Sequence, residues 1–81
     1  MRQFALAPSI LLPRDSVVGI FDVDTATVSR HTRDFLRRAQ ASGAVVAAGE
    51  DLPQAFVVAD EKVYLSPHSS ANLAKKLLTN P

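Results

Sequence analysis

The chain has 81 residues, which fits a single domain, 1–81, and no more. It holds no cysteine and only two histidines, so disulfides are excluded and neither a metal site nor a cofactor is expected. Its net charge is +1, so nothing draws the whole chain to a polyanion, and a nucleic-acid site must come from local placement of charge.

Taken in order, Phe4–Leu6 and Ile10–Leu12 are short apolar runs separated by Ala7-Pro8-Ser9, which predicts a hairpin with its turn at Pro8-Ser9. Pro13 ends the second arm, and Arg14-Asp15 is a polar break. Val17–Val23 (VVGIFDV) is the strongest strand pattern, β-branched and aromatic and apolar on both faces. Gly19 inside it predicts a bulge or a close backbone approach. Asp22 and Asp24 bracket the end of this strand. A metal or acid–base pair is one reading of them, and a strand end turning into the loop Asp24–Val28 is the plainer one. Ser29 is placed to cap a helix from about Arg30 to Ser42, with Thr32, Phe35, Leu36 and Ala39 as a narrow apolar stripe and Gly43 at its C-terminal end. Arg30, Arg33, Arg37 and Arg38 lie on the rest of that helix with Asp34 as the one acid among them. Two of these arginines stand near the helix start, where the macrodipole disfavours cations; a ligand-binding face is one reading of them, and a plain solvated face is the more ordinary one.

Ala44–Ala48 reads as a short strand of small apolar residues, and Gly49–Gln54 as an acidic loop closed by Pro53. Ala55–Ala59 and Val63–Ser66 predict a second hairpin around the charged tip Asp60-Glu61-Lys62. Pro67 stops the strand, because proline cannot donate to a ladder. Ser69 and Ser70 are helix caps, and a last helix over about Ser70–Leu78 turns Leu73, Ala74, Leu77 and Leu78 inward. The chain then ends at Asn80-Pro81.

The expected fold is α+β: a small, mostly antiparallel sheet with two short helices. Two helices cannot cover both faces of such a sheet. Yet Val17–Phe21, Ala44–Ala48 and Ala55–Val58 are apolar on both faces, a pattern usual where both are covered. A second copy of the chain is the natural source of the missing layer, so a homo-oligomer is expected. Small cores also often need such a staple. No apolar run approaches the roughly 18–20 residues of a membrane span, and Pro8-Ser9 interrupts the N-terminal run too early for a signal-peptide core. A cytoplasmic protein with no membrane partner is expected.

Catalytic patterns are missing. Gly19, Gly43 and Gly49 are isolated, so there is no phosphate-cradling loop, and no nucleophile elbow occurs. His68 stands beside Ser69, but adjacent side chains rarely face one another and no placed acid completes a set, so no enzyme is expected. The serines before the last helix could receive an anion at a helix N-terminus, although capping alone explains them. His31, in the first turn of the arginine helix, is read as structural or solvent-facing.

Three stretches together resemble the RemA/RemB family of bacterial extracellular-matrix regulators, and its RemB branch in particular: DSVVGIFDVDT (Asp15–Thr25), RDFLRR (Arg33–Arg38) and AFVVADEKVYLSPHSSANLAKK (Ala55–Lys76). The resemblance covers nearly the whole chain. It implies a cytoplasmic DNA-binding regulator of biofilm-matrix genes, built from a LytTR-like subunit that forms ring-like homo-oligomers and offers a belt of arginines to the DNA backbone. In RemA-like members the loop before the last hairpin carries a glycine followed by paired arginines, the expected phosphate contacts. Here the matching stretch is Gly49-Glu50-Asp51, which repels a duplex. Contacts would then fall to Arg14, which matches the basic position before the VVGIF strand, and to Arg30, Arg33, Arg37 and Arg38. The competing expectation is an oligomeric assembly module that binds no DNA and pairs with a protein partner, such as a paralogous regulator.

Overall fold

A computed structural model describes residues 3–49, 51–60 and 62–79. Glu50 of the acidic loop, Glu61 of the hairpin tip and the Asn80-Pro81 end lie outside the described residues. In chain order the elements are β1 (Gln3–Ala7), β2 (Ile10–Pro13), β3 (Val17–Asp22), α1 (Val23–Ala26), α2 (Arg30–Ala41), β4 (Val45–Ala47), β5 (Ala55–Ala59), β6 (Lys62–Ser66) and α3 (Ser70–Thr79). A 3₁₀ turn, Arg14–Ser16, joins β2 to β3.

β5 explains the arrangement. Its sequence, AFVVA, offers apolar side chains to both faces, so both must be covered. It lies inside a four-stranded sheet of order β3-β5-β6-β4. β3 and β6 run antiparallel to it, and β4 runs parallel to β6. The sheet is therefore mixed, although most of its pairings are antiparallel as expected. α2 carries the chain from β3 at one edge to β4 at the other, so β4 runs in the same direction as β3, and β6, which reverses from β5, runs in that direction too.

One face is covered well. β1 and β2 form their own antiparallel hairpin about Pro8-Ser9, with Phe4 opposite Leu12. Phe4, Leu6 and Leu12 from this hairpin, together with Leu73 of α3, close on Ala55, Val57 and Ala59 of β5. Ile20, Tyr64 and Leu77 flank this core. Lys76 ties α3 down by donating from Nζ to the Ala5 carbonyl at 2.9 Å. Ser69 caps α3, its Oγ accepting from the Asn72 N–H at 3.1 Å. Leu78, expected to face inward, is exposed instead, because the helical period carries it off the Leu73–Leu77 line.

The other face carries Phe56 and Val58 of β5, with Phe21 opposite Phe56 and Val63 opposite Val58. The Phe21 and Phe56 rings stack with centroids 5.2 Å apart. α2 lies over this face, yet none of its residues is fully buried. Cover here is partial.

Local signals explain the remaining joints. Gly43 takes φ 76° just after α2, where a left-handed residue ends the helix. Asp60 takes φ 52° at the tip of the β5–β6 hairpin, a conformation that aspartate tolerates. The loop expected over Asp24–Val28 begins as a single helical turn, α1. Asp22 caps it, its Oδ1 accepting from the N–H groups of Asp24 at 2.9 Å and Thr25 at 3.2 Å. The chain thus has a third, short helix, and Asp22 acts as a cap, in line with the plainer reading of the Asp22–Asp24 pair. Among the described residues, no helix is long and apolar enough to cross a membrane.

Of the two readings of Gly19, the bulge is the one the sheet shows. The β3–β5 register slips between Val17 and Gly19, and a Cβ added at Gly19 would stand 2.8 Å from the Phe21 ring. Gly19→Ala should therefore push that ring off Phe56. Aromatic pairs contribute about 0.5–1.5 kcal/mol beyond area burial, so urea unfolding should show a loss of that order. An unchanged midpoint would show that the ring does not depend on the glycine.

Candidate nucleic-acid interface

α2 forms because its sequence, RHTRDFLRRAQA, mixes strong helix formers with an apolar stripe at helical spacing. Thr32, Leu36 and Ala39 are half-buried towards the sheet, and Phe35 stays more open. Ser29 occupies the N-cap position but its side chain makes no capping hydrogen bond. The four arginines of α2 are all exposed. They do not share one role.

Arg33 is bound to the fold. Its Nη1 donates to the carbonyls of Thr27 at 2.8 Å and Val28 at 2.9 Å. These carbonyls follow the single turn α1 and lie in the short joint between it and α2. A cation at a helix C-terminus also suits the dipole of that turn. Neither a ligand-binding face nor plain solvation describes Arg33: it stands against its own helix dipole and closes the joint that precedes α2.

Arg30 and Arg37 flank Asp34. Arg30 Nε is 3.8 Å from Asp34 Oδ2, and Arg37 Nη1 is 3.3 Å from Asp34 Oδ1. Both arginine side chains remain largely in solvent, so these pairs are weak and either arginine can exchange Asp34 for another anion. Arg38 stands in the last turn. It lines a hollow that also contains Asp60 and Lys62 of the β5–β6 tip.

Arg14 lies off α2, in the 3₁₀ turn before β3. That turn meets the same hairpin tip, since the Asp60 N–H donates to the Ser16 carbonyl at 3.0 Å. The tip therefore gathers the turn of Arg14, the end of α2 bearing Arg38, and Lys62. The sequence placed Lys62 in a charged tip but gave no reason to group it with Arg38, because only the sheet pairing brings them together. Exposed Asp51 belongs to the loop that precedes β5, at the end of that strand opposite the tip.

The Ser–His neighbours before α3 do not converge. Ser69 is occupied as a cap, and the His68 N–H donates to Ser66 Oγ at 3.1 Å. His31 is exposed, at the rim of an apolar groove between α2 and the sheet. This groove has a volume of about 340 Å³ and is walled by Val18, Phe21, Phe35, Phe56 and Val58. Phe35 is 38%, Phe21 42% and Val18 74% exposed. Periodicity pointed Phe35 at a core, but the sheet offers it no opposing layer.

The chain matches no protein-family model and no curated protein.

Arg33→Ala should leave the Thr27 and Val28 carbonyls unpaired. A stability loss of about 0.5–1.5 kcal/mol is expected in urea unfolding, the usual worth of such bonds at an exposed site. An Arg33→Ala protein as stable as wild type would remove the structural role assigned to this side chain.

Proposed function

We propose that the protein is a DNA-binding transcriptional regulator of extracellular-matrix genes, working in the cytoplasm as a homo-oligomer. The resemblance to the RemA/RemB family and its LytTR-like subunit supplies the biological setting. The observation that carries the reading is the exposed cationic surface formed by α2 and the β5–β6 tip. Arg30, Arg37 and Arg38 stand in solvent there, and the turn of Arg14 is hydrogen-bonded to the tip through Ser16. Arginine forks pair with phosphate oxygens bidentately, and such contacts position a protein on a duplex without reading its sequence. Arg33 is withdrawn from the contact set, because its guanidinium serves the α1–α2 joint.

A single subunit with net charge +1 holds a duplex poorly. Repetition of the same arginines in each copy converts weak contacts into avidity. The second reading is an assembly module that binds a protein partner or a paralogue and leaves DNA alone. Two acids favour it: Asp34 lies between Arg30 and Arg37, and Asp51 is exposed in the loop where arginines would be expected from the resemblance.

A salt titration on long duplex DNA separates the two. Binding should be weak and fall steeply with salt, each neutralised phosphate adding roughly −0.9 to the slope of log affinity against log salt. Arg37→Ala and Arg38→Ala should each lower affinity and flatten that slope by about one contact, while Arg33→Ala leaves the slope alone. Replacing Glu50 and Asp51 with arginine should raise affinity. Absence of binding by wild type at low salt would make the partner-binding module the better reading.

A further inference from the structure

We infer that the outer face of α3, where His68, Asn72, Lys75 and Lys76 meet, is a second phosphate-contacting surface for duplex DNA, on the opposite side of the sheet from the arginines of α2. The inference deepens the regulator reading above and rests on it. At 3.6 residues per turn, Asn72, Lys75 and Lys76 fall within an arc of roughly 100°. Leu73 and Leu77 take the inner side of the helix, against the β1–β2 hairpin and β5. The stripe is therefore turned to solvent, and all of its residues are exposed. His68, just before the Ser69 cap, extends it, and the four side chains line one hollow of about 420 Å³.

Charge sets this hollow apart from the α2 surface. No Asp or Glu lines it, and the sequence holds none from Lys62 to its last residue. On the other side, Asp34 stands between Arg30 and Arg37, and Asp60 shares the hollow of Arg38 and Lys62. The dipole of a helix C-terminus accounts for lysines at 75 and 76. It does not account for the first turn of α3, which has no acid although the dipole favours one there. Asn72 occupies the third helical position after the Ser69 cap, where a glutamate would complete a capping box. A neutral donor stands there instead, and it belongs to the same stripe as the lysines.

The side chains of this stripe suit phosphate oxygens, which only accept. An ammonium has three N–H donors, a carboxamide two, and an imidazole at least one. Lys76 gives one of its three to the Ala5 carbonyl at 2.9 Å, which holds the head group at the rim of the stripe. The Asn72 backbone N–H is already used by the Ser69 cap, so the contacts come from side chains and not from the helix end. α2 lies over the face of the sheet that carries Phe56 and Val58, whereas α3 packs on the face of Ala55, Val57 and Ala59. The two cationic surfaces thus stand back to back, and a straight duplex lying along one leaves the other free. Contacts of this kind hold the backbone without reading bases.

The chain has three lysines, Lys62 at the β5–β6 tip and Lys75 and Lys76 on α3, so lysine reactivity reports both surfaces. The test is amine acetylation of the full chain at low salt, with and without long duplex DNA, read at each lysine by mass spectrometry. It is run beside DNA titrations of wild type, Asn72→Glu and Lys75→Gln. Duplex DNA should slow modification of Lys75 about three- to tenfold, and high salt should abolish the protection. Asn72→Glu completes the capping box, so it should unfold in urea no earlier than wild type, yet bind DNA about three- to tenfold more weakly. Lys75→Gln should flatten the salt slope by about one contact, and its loss should multiply with that of Arg38→Ala, because the sheet separates the two. Protection of Lys62 alone, or Asn72→Glu binding as tightly as wild type, overturns the α3 surface and leaves the regulator reading standing on α2. Wild type that binds no DNA at low salt removes that reading and this surface together.

Discussion

Everything in this fold follows from β5. Five apolar residues in a strand near the middle of a sheet present Ala55, Val57 and Ala59 to one side and Phe56 and Val58 to the other. Neither side can be left to water without cost, since burying one such side chain contributes about 1.5–3 kcal/mol. The β1–β2 hairpin and α3 satisfy the first side. Only α2 is left for the second, and a twelve-residue helix with a narrow stripe of Thr32, Leu36 and Ala39 covers part of it. The open groove is the residue of that mismatch between the strand and the material available to sheathe it.

The charges on α2 are arranged around a different constraint. Between α1 and α2 the chain passes through residues 27–29, and the Thr27 and Val28 carbonyls lie outside both helices. Arg33 reaches back over that joint and closes two acceptors at once. Asp34 then lies half-buried beside it, one turn from both Arg30 and Arg37. What looks in the sequence like a uniform basic face is thus divided into a clamp, a loosely paired set, and a free end at Arg38. The part of the helix best suited to meet a polyanion is its C-terminal turn beside the β5–β6 tip.

Much of the architecture was legible in the sequence. Both hairpins, the strand at Val17, the long helix, its Gly43 stop and the Ser69 cap all have local causes, and local causes can be read from neighbouring residues. Gly19 announced a bulge, and the register slips there. The parallel pairing of β4 with β6 was not legible, because nothing in AVVAA states which strand it will join. Nor was α1, where the same aspartates that favour a turn also cap a helix. The candidate site was legible only as a set of cations. Which of them are spoken for depends on carbonyls five and six residues away in Arg33's case, and on a sheet register in the case of Arg38 and Lys62. Helical periodicity also overstated the burial of Phe35 and Leu78, since a stripe is buried only where another element meets it.

The strand order β3-β5-β6-β4 has a consequence for how the chain comes to be folded. The two strands made first stand apart in the finished sheet, and the hairpin made last slides between them. While a ribosome has delivered the chain only as far as β4, Val17–Asp22 and Val45–Ala47 have no partner to pair with. At roughly 5–20 residues per second, the wait for the final hairpin and α3 lasts a few seconds. Through that interval the most β-prone stretch of the chain is unpaired and apolar, which is the condition under which nascent chains need shielding from one another. A stop codon placed before Ala55 would make this state permanent, leaving two strands with nothing between them.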